Sequence, residues 1–241
     1  MTEKKFVNLP FFYISGYDVS QQDLVLDENT SRHIVTVLRM GKGERIRLTD
    51  GQGSLLTAEI IQDHKKHCSV TLLQRDFIEP APEQITIALS LIKNTARLEW
   101  FVEKAAEMGV AAIIPMICER TEKQHFRLER MQGILVSAML QSQQCWLPVL
   151  HNPTAFEQIV QTASQQQKFI AHCLPDEKRN LQDLINEALQ TKIILIGPEG
   201  DFTKEEVDLA VRHHFSPVAL GTTRLRTETA GLVAASLLRH V

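Results

Sequence analysis

The sequence predicts an α/β protein in two parts, a small β-barrel followed by a parallel sheet covered by helices. Three observations lead there. Roughly the first 75 residues carry short apolar runs and one period-two strand pattern, with a single helix between them. A proline-bearing stretch, residues 76–83, then breaks the pattern. Beyond it strands and helices alternate, and the strands read as continuous apolar runs, as in a sheet buried on both faces.

In the first part, residues 11–14 and 24–26 are short apolar strands. Residues 44–49 alternate with period two and run into Asp50-Gly51, a hairpin signal. Strands at 55–61 and 69–73 follow, and a helix over 31–38 places Ile34, Val35 and Leu38 on one face. About five or six short strands and one helix suggest a closed barrel, because closure removes exposed edges.

The second part opens with a strand at 85–91 and a helix at 97–108, with Gly109 just past its end. A strand at 112–116 leads to a long helix over 128–144 and a strand at 147–150. Thr154-x-x-Glu157 reads as a capping box opening a helix. A strand at 168–173, a helix at 181–189 and a buried strand at 193–196 follow. Thr203-x-x-Glu206 caps another helix, 217–220 is the last strand, and Ala230, Val233, Ala234, Leu237 and Leu238 mark the final helix.

Composition bounds the function. Of 241 residues, 44% are hydrophobic and 23% charged, so the chain can bury a core without metal or disulfide staples. Lys and Arg number 26 against 29 Asp and Glu, a net charge of −3. This excludes a basic protein that coats nucleic acid by bulk charge, and any such contact must come from a local patch. No stretch approaches the ~18 uninterrupted apolar residues of a membrane span. Met1-Thr2-Glu3-Lys4-Lys5 precedes no secretory apolar run. Cys68, Cys118, Cys145 and Cys173 form no C-x-x-C pair and read as reduced thiols, so a cytoplasmic protein is expected. His64-x-x-His67-Cys68 has metal-like spacing but lies in a polar, Lys-rich turn without a fourth ligand, so no metal is expected. Trp100 and Trp146 read as packing residues.

Ligands of open parallel sheets sit beyond the carboxyl ends of the strands. Three strand ends therefore matter: residues 172–175, 197–200 and 221–229. Gly197 and Gly200 let the backbone bend and approach a ligand, and a helix starts just after them. Glu199, Asp201, Glu205 and Glu206 crowd that turn with negative charge, and no Walker-type Lys offsets it. Phosphate would be repelled, whereas hydroxyls, an adenine edge or a positive centre would be welcome. The residues equally allow a plain strand-to-helix turn with an acidic first turn. In the third stretch Arg224 and Arg226 point the same way if extended, and one guanidinium can hold an anionic or carbonyl oxygen. Glu228 can fix that Arg, or the segment simply starts a helix.

Residues 1–80 hold 10 basic and 11 acidic side chains, yet Arg32, His33, Arg39, Lys42, Arg45 and Arg47 cluster against Glu44 alone. Such a cluster suits phosphate contacts that position an RNA. A solvated barrel face reads equally well.

Leu195-Ile196-Gly197-Pro198-Glu199-Gly200, followed about 20 residues on by Leu220-Gly221-x-x-x-Leu225-Arg226-Thr227-Glu228-Thr229-Ala230, resembles the signature of SPOUT-class methyltransferases. Within that class the chain is similar to the bacterial 16S rRNA (uracil-N3)-methyltransferase family. His33-x-x-x-Val37-Leu38-Arg39, Leu91-Ile92-Lys93, Glu107-Met108-Gly109-Val110 and Pro115-x-x-x-Glu119-Arg120-Thr121 agree with it across nearly the whole chain.

The resemblance implies an α/β SPOUT fold with a C-terminal trefoil knot, plus an N-terminal PUA-like β-barrel. The barrel takes residues 1–75, a linker 76–83 and the methyltransferase domain 84–241. It implies a homodimer acting on 16S rRNA of the small ribosomal subunit, with S-adenosylmethionine bound between the three strand ends. The cofactor residues it points to are His172, Leu174, Ile196, Gly197, Pro198, Glu199, Gly200, Leu220, Gly221, Leu225, Thr227, Thr229 and Ala230. Arg226 is assigned to stabilise the uracil oxygens and Glu228 to orient it, with Arg120 and Lys93 as alternatives. Arg32, Arg39, Lys42, Arg45, Arg47 and Lys93 are assigned to RNA. The sequence departs from the family at Asp201, where Gly is usual, at Thr223 and Arg224, where the basic charge is shifted by one position, at Pro10, and at Leu140 and Gln144. A SPOUT enzyme acting on another RNA and a noncatalytic RNA-binding factor are the competing readings.

Overall fold

The structure is a computed structural model describing residues 9–122, 125–174 and 178–239. It divides into two compact units, one up to Pro80 together with Met139–Trp146, the other Ala81–Ala138 with Leu147 onward.

The first unit holds β1 (Phe11–Tyr13), β2 (Asp23–Val25), α1 (Glu28–Arg32), β3 (Arg45–Thr49), β4 (Ser54–Gln62) and β5 (Ser69–Phe77). The sheet order is β1-β3-β4-β5-β2, with β1 parallel to β3 and the other pairs antiparallel. Period-two burial of Ile46 and Leu48 turns Arg45 and Arg47 to the opposite face. The sheet curls into a half-barrel rather than the closed barrel expected: the path ends at β1 and β2. The helical segment seals the interior instead, because Ile34, fully buried, packs into one core with Phe12 and Leu24.

The helix also starts earlier than expected. Asp27 caps it by accepting from the Asn29 and Thr30 amides at 2.9 and 3.0 Å. After Arg32 the backbone widens into a π-helical turn, His33–Val37, closed by Leu38 N–H on the His33 carbonyl. Trp146 packs edge-on against Phe77 and donates to the Ile78 carbonyl at 2.8 Å. Trp100 departs from its expected packing role, with 44% of its surface exposed. His64 and His67 stack in an exposed turn while Cys68 points into the core.

The second unit is a sheet with every pair parallel. Its strands are β6 (Gln84–Ser90), β7 (Ala112–Ile117), β8 (Val149–Leu150), β9 (Thr154–Ala155), β10 (Gln167–Ala171), β11 (Arg179–Asn180), β12 (Thr191–Ile196) and β13 (Ser216–Ala219). The order is β11-β13-β10-β12-β6-β7-β8, with β9 beside β7. Helices α2 (Thr95–Glu107) and α6 (Thr227–Arg239) pack with α3 (Leu128–Gln141) into one core. Helices α4 (Phe156–Thr162) and α5 (Lys204–Arg212) form the other.

Gly231 is where α6 comes closest: a Cβ there would lie 2.5 Å from Leu89 and 2.6 Å from Phe101. Two expectations fail. Thr154 is taken up by pairing with Met116, so α4 starts from Ala155 without a side-chain cap. The helix expected at 181–189 is a 3₁₀ turn, Leu181–Asp183: the Gln167 side-chain oxygen takes the Asn186 amide at 2.8 Å, which a helix would turn back on residue 182. The Thr203–Glu206 capping box forms as expected.

Candidate cofactor and catalytic site

β13, β10 and β12 are neighbours in the sheet, so their carboxyl-end loops converge. They enclose a cleft of about 340 Å³. Ala171 and Cys173 line it from the β10 end, Ile196, Gly197, Pro198, Glu199 and Asp201 from the β12 end, and Arg224, Leu225, Arg226, Thr227 and Ala230 from the start of α6. The remaining expected cofactor residues, His172, Leu174, Gly200, Leu220, Gly221 and Thr229, sit in the same three segments without lining the cleft.

Side chains tie these loops together through backbone groups. The Thr227 hydroxyl donates to the Gly197 carbonyl at 3.0 Å, joining α6 to the β12 loop. Asp201 accepts from the Cys173 amide at 2.8 Å and the Phe202 amide at 2.9 Å, joining the β12 loop to the β10 loop. Asp201 holds φ +63°, left-handed backbone where Gly is the easy residue and Asp the next best. Lys178 clasps the carbonyls of His172 and Leu174. Gly197 leaves room for the Phe202 ring, 3.1 Å from where a Cβ would stand.

The charge of the cleft differs from expectation. Glu206 turns away and accepts from the Thr203 and Glu119 amides, both at 2.9 Å. Burial, and secondarily that carboxylate, pushes the Cys118 thiol far up. Glu205 is exposed and does not line the cleft. Two carboxylates, Glu199 and Asp201, and two guanidiniums, Arg224 and Arg226, remain.

Arg120 donates to the Gly200 carbonyl at 2.8 Å and to that of Phe202 at 3.4 Å, so its guanidinium braces the loop. Glu228 forms its ion pair with Arg97 of α2, Nε to Oε1 at 3.5 Å, rather than with Arg226. Arg97 was not legible as a site residue. Its one signal was a cation in the first turn of a helix, where the macrodipole disfavours it.

Lys93 pairs with Glu122 at 2.8 Å, and that hydrogen bond and charge hold its ammonium above the ordinary value. Arg32, Arg39, Lys42 and Arg45 are exposed in the first unit, and Arg47 is half-buried. Arg45 lies 3.9 Å from Glu59, and Arg32 donates to Asn29 at 3.4 Å. Among the described residues no helix is long and apolar enough to cross a membrane.

A cleft of this size at the carboxyl ends of three adjacent parallel strands is the ligand site of an α/β binding fold. Its lining fits S-adenosylmethionine. Apolar walls at Ile196, Leu225 and Ala230 suit an adenine, and Thr227 and the carboxylates suit ribose hydroxyls and a sulfonium.

The sequence model described as RNA methyltransferase domain matches residues 79–239, and that described as RNA methyltransferase PUA domain matches 26–73. The chain belongs to this RNA methyltransferase family, with SPOUT-type architecture behind a PUA-type half-barrel. It is 31% identical over 208 residues to the ribosomal RNA small subunit methyltransferase E of Synechocystis, covering 84% of this chain and 68% of that one. The Bacillus subtilis protein of the same name is 26% identical, with 100% and 94% covered. The crystal structure of the Neisseria gonorrhoeae protein of that name, bound to S-adenosylmethionine, superposes with a TM-score of 0.86 at 31% identity, covering 96% of this chain and 97% of the other.

Proposed function

We propose that this protein transfers a methyl group from S-adenosylmethionine to small-subunit ribosomal RNA, and that the acceptor is N3 of a uridine. The observation that carries the reading is the convergence of the β10, β12 and β13–α6 loops on one cleft that pairs apolar walls with Glu199, Asp201, Arg224 and Arg226. The names of its relatives and the cofactor in the Neisseria structure support it.

Bound in the cleft, the cofactor supplies an electrophilic methyl on a cationic sulfur. The chain's residues do the rest. Ile196, Gly197, Pro198, Leu225, Thr227 and Ala230 hold the nucleoside, and His172, Leu174, Gly200, Leu220, Gly221 and Thr229 shape the segments that carry them. Glu199 and Asp201 face the positive centre. Uracil N3 carries a proton at neutral pH, so its loss builds negative charge on O2 and O4. Arg226, exposed at the cleft, is placed to stabilise those oxygens. A carboxylate or water at the cleft mouth takes the proton. Arg120 and Glu228 act through other residues, Arg120 by bracing the Gly200 loop and Glu228 through Arg97.

Residues 1–75 dock the RNA through Arg32, Arg39, Lys42, Arg45 and Arg47, and Lys93 adds a contact from the catalytic domain, 84–241. The knotted path of the C-terminal segment, a homodimer and a cytoplasmic location complete the proposal. The test is mass mapping of small-subunit rRNA from cells lacking the protein, with add-back of purified protein and labelled cofactor. Loss of one N3-methyluridine and its restoration are expected. An unchanged rRNA mass map, with no label transferred to subunits, overturns the reading.

A further inference from the structure

Glu228 is buried, with 7% of its surface exposed. A carboxylate stripped of water needs a cation close by. Arg97 supplies it, yet Arg97 stands in the first turn of α2, at the positive pole of its own helix. Asn94 already caps α2, accepting from the Ala96 and Arg97 amides. Nothing local to α2 therefore favours a cation there, and the partner on α6 does. Among the described residues Arg97 is the only cation paired with Glu228.

The pair grips α6 at a decisive place. Thr227, the preceding residue, bonds the Gly197 carbonyl, and Arg226 and Thr227 line the cleft. One turn on, Gly231 presses against Phe101 of α2. The start of α6 is thus held by the Thr227 hydroxyl's bond to the β12-loop carbonyl, an ion pair to α2 and a glycine contact to α2.

We propose that Arg97 and Glu228 are positioning residues: the ion pair holds the first turn of α6 so that Thr227 and Arg226 present correctly to the cleft. This rests on the cleft being the cofactor site. The perturbation acts through α6, so it reaches cofactor affinity and turnover but not RNA docking.

The test uses the full chain with Arg97→Gln, which keeps much of the apolar stem, Arg97→Lys, Glu228→Gln and the Arg97→Gln/Glu228→Gln double variant. Titration calorimetry with S-adenosylmethionine, steady-state kcat and KM on small subunits, and thermal melts are measured together. Arg97→Gln is expected to weaken cofactor binding about tenfold and lower kcat by at least that, with KM for the subunit within about twofold. Arg97→Lys is expected to recover most of both. The double variant is expected to be no worse than the worse single, since both break one interaction. If Arg97→Gln lowers the melting temperature yet binds the cofactor and turns over like wild type, the pair is structural and the proposal is wrong. Wild-type protein that takes no cofactor overturns the reading of the cleft and this inference together. Wild type that binds while every variant binds equally overturns this inference alone.

Discussion

Asp201 offers the sharpest test of how the cleft is held. Its carboxylate bridges two loops, taking the Cys173 amide at 2.8 Å and the Phe202 amide at 2.9 Å, from a left-handed backbone at φ +63°. Asp201→Gly relieves the backbone, a gain of about 1 kcal/mol, and loses both bonds. Cys173 is exposed, so water replaces its lost acceptor at a cost of about 1 kcal/mol. Phe202 is fully buried, and its orphaned amide costs about 2 kcal/mol. The net loss for Asp201→Gly is about 2 kcal/mol, and for Asp201→Ala, which keeps the strained backbone, about 3 kcal/mol. For a chain of this length that lowers the melting temperature by about 4–8 °C for Gly and by a few degrees more for Ala. Cofactor affinity is expected to fall in the same order, because the β10 and β12 loops are no longer tied. Melting curves and calorimetry on the two variants read both quantities. An Asp201→Gly protein that is more stable than wild type and binds the cofactor as tightly would refute the bridge.

Gly231→Ala is expected to destabilise by about 1–3 kcal/mol by overpacking Leu89 and Phe101, outweighing Ala's helix propensity of about 1 kcal/mol; denaturant titration giving the opposite sign would remove the close-packing account. Cys173 lines the cleft and is exposed, whereas burial pushes the thiols of Cys68, Cys118 and Cys145 up. Iodoacetamide should therefore label Cys173 first, and S-adenosylmethionine should slow it; intact mass spectrometry showing equal rates with and without the cofactor counts against the cleft. Asp27 feels burial raising its pKa, but the Thr30 and Asn29 hydrogen bonds outweigh it and hold the carboxyl below its ordinary 3.8. The cap's contribution is then full above pH 3.8 and fades as pH falls through the lower folded value. Asp27→Ala should cost about 1 kcal/mol at neutral pH, with the gap to wild type closing only in that acid range in pH-dependent unfolding.

The strongest local signals survived folding. The 44–49 alternation became β3, with both Arg residues on one face, and Thr203-x-x-Glu206 became a capping box because its two bonds close within four residues. The three strand ends were readable because an open parallel sheet places its ligand there whatever its sequence. What failed was decided by distant partners. Thr154 has the residue type of a cap, but the edge of β7 claims it as a strand. Residues 181–189 have helical spacing, but the Gln167 side chain takes the Asn186 amide that a helix would use. Ile34 looked like one face of a small helix and instead plugs the half-barrel. Glu228 looked like the neighbour of Arg226, yet its partner comes from α2, which no local pattern announces.

The way the cleft is braced explains why its functional side chains remain available. Thr227, Asp201 and Arg120 each spend a polar group on a neighbouring loop's backbone, and Lys178 does so within its own loop, so loop geometry is set without using Glu199, Arg224 or Arg226. Glu199, Arg224 and Arg226 stay exposed at the cleft. A ligand entering it therefore meets a preset backbone and orders little chain, which lowers the entropic cost of binding. The same arrangement separates two kinds of loss. Removing a brace should loosen the cofactor and slow turnover together, whereas removing Arg226, whose side chain braces no loop among the described residues, should slow turnover while the cofactor still binds.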